Sequence, residues 1–196
     1  MSPFLRFAHG IDALNERVGR AVGWLVLAAV VISAVNAAVR KAFNYSSNAF
    51  LEIQWYLFAG VFLLGAGYTL LRQEHVRIDV LLSKFSRRTQ VKVELFGFVV
   101  FLAPFVLLVL DLGFPFFLRA LNSGEMSASS GGLIRWPAYL LIPVGFALLG
   151  LQGVSEFIKR LAFLAGKAPD PGMKTEGKTA EEELAEFLRA QQEAAK

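Results

Sequence analysis

The chain contains no cysteine, so disulfide frameworks, thiolate metal sites, iron–sulfur clusters and thiol nucleophiles are all excluded. Histidine is nearly absent too. The two that exist, His9 and His75, both lie outside the long apolar runs, so a bis-histidine haem within a bilayer is unavailable. His75 and Asp79 stand at i,i+4 helical spacing, yet no third ligand accompanies them, and no metal is expected. A Gly-rich phosphate loop, a nucleophile elbow and an HExxH segment are missing as well, which leaves an enzyme reading without support. The net charge of +4 does not mark a nucleic-acid partner, because the basic residues flank apolar runs and form no single stripe.

What the sequence has in abundance is apolar surface. Hydrophobic residues make up 55% of the 196, with 18 phenylalanines, and the mean hydropathy is +0.50. A soluble domain of this length keeps a more mixed composition, so lipid is the expected solvent. Four stretches approach or exceed the ~20 residues that a spanning helix needs. They cover about 21–39, 49–71, 96–118 and 137–154. Backbone groups in hydrocarbon must bond internally, so the predicted fold class is an all-α integral membrane protein with four transmembrane helices. Arg17 and Arg20 give the first span a basic approach, but its apolar run is long and lacks a small-x-small cleavage site, so it reads as an uncleaved anchor.

Orientation follows from lysine and arginine near the helix ends. One side receives Arg6, Arg17, Arg20, Arg72, Arg77, Lys84, Arg87, Arg88, Lys92, Lys159, Arg160 and Lys167; the other receives Arg40, Lys41, Arg119 and Arg135. Both termini are therefore expected in the cytoplasm. Tyr45, Trp136 and Tyr139 suit an outer aromatic belt, and Trp24 and Tyr68 an inner one. Residues 1–17 are expected as an amphipathic arm on the membrane surface, with Phe4, Phe7, Ala8, Ile11, Leu14 and Val18 at helical spacing. A second interfacial helix is expected in the middle loop, where Ile78, Leu81, Leu82 and Phe85 share a side and Lys84, Arg87 and Arg88 face lipid headgroups. The four-helix membrane domain spans 18–163, followed by a linker over 164–178 and a charged helix or tail over 179–196, opened by Thr179 and Glu182 as a capping box.

Polar residues at membrane depth are functional candidates by default. Glu52 lies about one turn inside the second span and is expected to make a structural contact, with a partner chain or an external basic residue. Asp111 reads the same way, with Arg119 in its own helix as the candidate helper. Neither helix has the discontinuous, Gly-rich break that secondary transporters use at the midplane. Ala29, Ser33 and Ala37, and likewise Gly60 and Gly67, form small faces for close helix approach, against this chain or a larger partner.

The stretch LEIQWYLFAGVFLLGAGYTLLRQEHVRIDVL, residues 51–81, resembles the small membrane subunit (DctQ-like) of tripartite ATP-independent periplasmic (TRAP) transporters. The matching positions are Glu52, Gly65, Gly67, Arg72, His75 and Asp79. SSGGLIRWPAYLLIPVGFALLGLQ, residues 129–152, resembles the start of that family's fourth helix, at Ser129, Ser130, Trp136, Pro137 and Pro143. The resemblance covers about residues 18–160. It implies the small scaffold subunit of a sodium-coupled secondary transporter in the bacterial inner membrane, importing an organic acid or related small solute. Its partners would be a large membrane subunit holding the sodium and substrate sites, a periplasmic substrate-binding protein, and membrane lipids. This chain itself would need no cofactor. The expected partner or scaffold contacts are Glu52, Trp55, Gly65, Arg72, His75, Asp79, Trp136 and Pro143. The alternative is an autonomous four-helix carrier acting as a homo-oligomer, which would want a mid-membrane carboxylate in its first helix, where this chain has none.

Overall fold

Each apolar run grows into a helix longer than the run itself. A computed structural model describes residues 3–44, 47–73 and 85–170. Helix α1 covers Pro3–Phe43, α2 Asn48–Arg72, α3 Arg87–Ser123 and α4 Trp136–Leu164, and all four are long and apolar enough to cross a membrane. Among the described residues the sole strand-like pairing is one isolated bridge in a loop. At 1.5 Å per residue the 41-residue α1 is roughly 60 Å long, twice a hydrocarbon core. Residues expected as a surface arm and residues of the first span thus form one unbroken helix. Left-handed residues follow α1 at Asn44 (φ 53°) and cap α2 at Gln73 (φ 55°), a common way to stop a helix without glycine.

Helix α3 carries a widened turn. Over Phe98–Leu102 it is π-helical, and the Ala103 N–H reaches five residues back to the Phe98 carbonyl. The cause stands next in sequence: the Pro104 ring lacks an N–H and crowds the carbonyl four residues before it, and the wider turn relieves that crowding.

Helix α4 is the hub, packed against the other three. Helix α1 runs antiparallel to α2, with Gly19 beside Tyr68, Leu25 beside Gly60, and Ser33 donating to Gln54 at 2.8 Å. Helix α2 runs parallel to α4, with Leu63 against Gly145 and Gly67 against Leu148. Antiparallel α3 places Val106 against Gly150 and Leu102 against Gly153. The start of α1 and the end of α4 meet at one end of the bundle, hereafter the terminal end; loop 124–135 closes the other, the loop end. Among the described residues helix α3 packs chiefly on α4: 6% of its most apolar stretch is buried, against 28% for α4.

The small faces expected for helix association are used inside the chain. Ala29, Gly60 and Gly67 are buried between α1, α2 and α4. Ala37 is exposed, and its neighbour Asn36 takes the inward position. At Gly145 a side-chain carbon would lie 2.6 Å from the Leu63 carbonyl oxygen, so glycine is what lets the α2 and α4 backbones touch.

Candidate functional site

Polar residues gather at the two ends of the bundle, and each group bonds mainly within the chain. At the loop end, residues 124–135 fold back as a short hairpin. Met126 and Ile134 form an antiparallel bridge, Ser127 N–H donates to Leu133 O at 2.9 Å, and Arg135 N–H donates to Glu125 O at 2.9 Å. Glu52, buried in the first turns of α2, reaches into this hairpin. One of its oxygens accepts from the Ser127 hydroxyl, the other from the Leu133 N–H at 2.7 Å. Gly132 lies against the same carboxylate, with no room for a side chain. Tyr56 Oη donates to Ile134 O at 3.1 Å, and Asn48 Nδ2 to Ser130 O at 3.0 Å. The Arg135 guanidinium is raised above its ordinary value by its hydrogen bond to Tyr139, with Glu125 adding to it.

At the terminal end a larger cluster joins α1, α3 and α4. Asp12 Oδ1 accepts from Gln152 Nε2 at 2.8 Å, from Ser155 Oγ at 2.7 Å and from Lys159 Nζ at 3.1 Å. Buried Asn15 donates to Gln152 Oε1 at 2.9 Å. Glu156 bonds Lys159 and Arg160, and Arg160 Nε donates to Glu94 Oε2 at 2.6 Å while its guanidinium stands 5.0 Å over the Phe98 ring. Arg87 continues the chain of charges to Glu94 and to Asp170, the latter at 2.9 Å. Gln152, Ser155, Glu156 and Arg160 are at most 2% exposed, and burial of that depth demands partners.

The residues singled out in the sequence divide sharply. Glu52, Gly65, Trp136 and Pro143 turn into this chain's own packing: Thr69 Oγ1 donates to the Gly65 carbonyl at 3.0 Å, and the Trp136 ring lies 6.5 Å from Phe117. Glu52 meets a hydroxyl and an amide of the 124–135 hairpin, and among the described residues no basic side chain is in hydrogen-bond contact with it. Trp55, 71% exposed, points away from the bundle. Arg72 pairs with Glu16 of α1 at the surface. Arg87 is engaged by Asp170 and Glu94, whereas Arg88 and Phe85 stay exposed. Asp111 is exposed, and the structure records no contact with Arg119, eight residues on. His75, Asp79, Lys84, the remaining apolar residues of the middle loop, Tyr45 and the tail from 171 lie outside the described residues.

The arm resolves into two faces. Leu5, Ala8, Ile11 and Asn15 are buried against α4, while Phe4, Phe7 and Leu14 point outward. The terminal cluster itself went unrecognised in the sequence, though a signal was there. Gln152, Ser155, Glu156, Lys159 and Arg160 recur at i, i+3, i+4, i+7 and i+8, a polar stripe where an apolar one should face the bundle. No group of three metal-ligating side chains occurs among the described residues.

Two polar clasps at the ends, with glycine and aliphatic contacts between them, hold together four helices long and apolar enough to cross a membrane. The family model described as "Tripartite ATP-independent periplasmic transporters, DctQ component" matches residues 28–163, well over half of the chain. The chain belongs to the DctQ family. No curated protein and no solved structure gives a match. DctQ is a transporter-component family and not an enzyme family. The match to this DctQ chain starts within α1 and ends one residue before the last of α4, so all four helices fall wholly or partly inside it. Both halves of the loop-end clasp, Glu52 and residues 127–133, are included, as is the α4 stripe. Asp12 and Asn15, which that stripe grips, lie upstream of the matched region.

Proposed function

We propose that this DctQ chain is the small scaffold subunit of a sodium-coupled TRAP secondary transporter in the bacterial inner membrane, importing an organic acid or related small solute. Both termini and the terminal cluster face the cytoplasm, and the 124–135 hairpin faces the periplasm, where it helps dock the substrate-binding protein. The large membrane subunit carries the sodium and substrate sites. The observation that supports this most is the separation of polar from apolar groups. Polar clusters close the two ends, and glycines and aliphatic side chains pack the contacts between α2, α3 and α4. A carrier instead needs polar groups converging near the midplane. The outward faces of α1 and α3 are rich in Phe, Leu and Val, available to lipid and to a larger partner. Phe4, Phe7 and Phe85 with Arg88 suit the cytoplasmic interface, where aromatic and basic side chains anchor membrane proteins.

The test is reconstitution of this chain with and without its large subunit, followed by uptake under an imposed sodium gradient. Uptake is expected from the complex alone. Uptake by this chain as a homo-oligomer would replace the scaffold reading with the autonomous carrier.

A further inference from the structure

Asp111 is the single charged residue between Glu94 and Arg119, preceded by sixteen uncharged residues and followed by seven. Counting 1.5 Å per residue, it lies roughly 12 Å along α3 from Arg119, inside the apolar span. Its side chain is on the wrong side of the helix for any partner in this bundle. Val106, Gly113, Phe117 and Ala120 form the buried face of α3; Leu108, Asp111, Pro115 and Leu118 line the opposite one, and all four are exposed. Among the described residues Asp111 has no hydrogen bond and no ion pair. Arg87, where α3 begins, lies roughly 36 Å along the helix from Asp111.

A second, independent feature sits one turn further along. Pro115 is the fourth residue after Asp111 and has no N–H, so the Asp111 carbonyl loses the donor that an α-helix would ordinarily give it. The exposed Asp111 carboxylate therefore stands on an apolar face at a depth where lipid offers no donor, beside a turn that Pro115 deprives of one α-helical hydrogen bond. Flanking them, Leu107, Leu108, Leu112 and Phe114 are each more than half exposed.

We infer that the Asp111–Pro115 face of α3 is the docking surface for a transmembrane helix of the large subunit that presents an arginine or lysine at this depth. A cationic side chain with several N–H donors pairs with both carboxylate oxygens, which neither lipid tails nor an apolar helix does. This inference rests on the scaffold reading and deepens it by naming the face and the chemistry of the contact.

The experiment uses the full chain co-expressed with its large subunit, with a photocrosslinker replacing Leu112 and, separately, Asp111→Leu and Asp111→Lys. The expected crosslink falls on a large-subunit helix within one turn of an arginine or lysine. Asp111→Lys lowers the co-purified large subunit about tenfold, the scale of one charged hydrogen-bonded contact. Changing the crosslinked cation to Asp restores co-purification with Asp111→Lys, which a merely structural role would not do. Wild-type co-purification with Asp111→Leu, or crosslinks confined to lipid or to a second copy of this chain, overturns the inference and leaves the scaffold reading standing. A wild-type chain that retains no large subunit overturns both.

Discussion

The Leu133 amide donates to the Glu52 carboxylate at 2.7 Å across 81 positions of sequence. With the Ser127 hydroxyl on the other oxygen, this contact fastens the hairpin at the loop end to the start of α2. The carboxylate thereby shapes the surface that this chain presents at its loop end.

Glu52→Gln puts an amide NH₂ where an acceptor is needed, and Glu52→Ala removes both acceptors. Both variants are expected to speed hydrogen exchange at Leu133 and to open residues 124–135 to protease, with Ala the more severe. Glu52→Ala should also weaken recovery of the assembled transporter more than it changes substrate affinity. An intact complex with lower uptake would point to a direct ionic role.

Gly145→Ala drives a methyl group into the Leu63 carbonyl, where the new carbon would lie 2.6 Å from oxygen. Overpacking of this kind costs about 1–3 kcal/mol. A loss of that size is expected in thermal unfolding of the detergent-purified protein, followed by tryptophan fluorescence. Gly23→Ala, with nothing within 4 Å, is the control and should be neutral or stabilising by up to about 1 kcal/mol through helix propensity.

Arg160→Ala leaves Glu156, 1% exposed, without one of its cations. Breaking a buried pair from one side costs about 3–5 kcal/mol. Glu156→Gln with Arg160→Met, which removes both charges, should recover much of that loss. A double-mutant cycle on unfolding midpoints measures the difference, and additive losses would show that the two side chains act separately.

Arg72 and Glu16 form a pair whose side chains are 48% and 27% exposed. Such a pair contributes less than about 1 kcal/mol after solvent screening. Arg72→Gln should leave the unfolding midpoint nearly unchanged and insensitive to added salt. A marked loss of the large subunit in that variant would assign Arg72 to the partner contact.

Much of the architecture was legible because lipid imposes a simple rule. Long runs such as residues 96–118 can satisfy their backbone in hydrocarbon only as helices, and the number and rough limits of the spans followed from hydropathy alone. The extent of each helix did not. Helix α1 continues back to Pro3 because Ala8, Ile11 and Asn15 find α4 to pack against, and no pattern within residues 1–17 names that neighbour. The widened turn in α3 was half visible in Pro104, whose missing N–H is local chemistry.

The sequence by itself determined the apolar runs that call for lipid, the helical class, the exclusion of thiol chemistry, and the positions of charge along each helix. Tertiary structure alone decided which of those charges are spent inside the chain. Asp12 and Lys159, or Glu94 and Arg160, are 147 and 66 residues apart, and nothing in helical period pairs them. The cause is the register in which α1 and α3 meet α4, set by contacts such as Leu63 against Gly145 and Val106 against Gly150. That same register turns Glu52 inward and Asp111 outward, although each is the single acid of its apolar run.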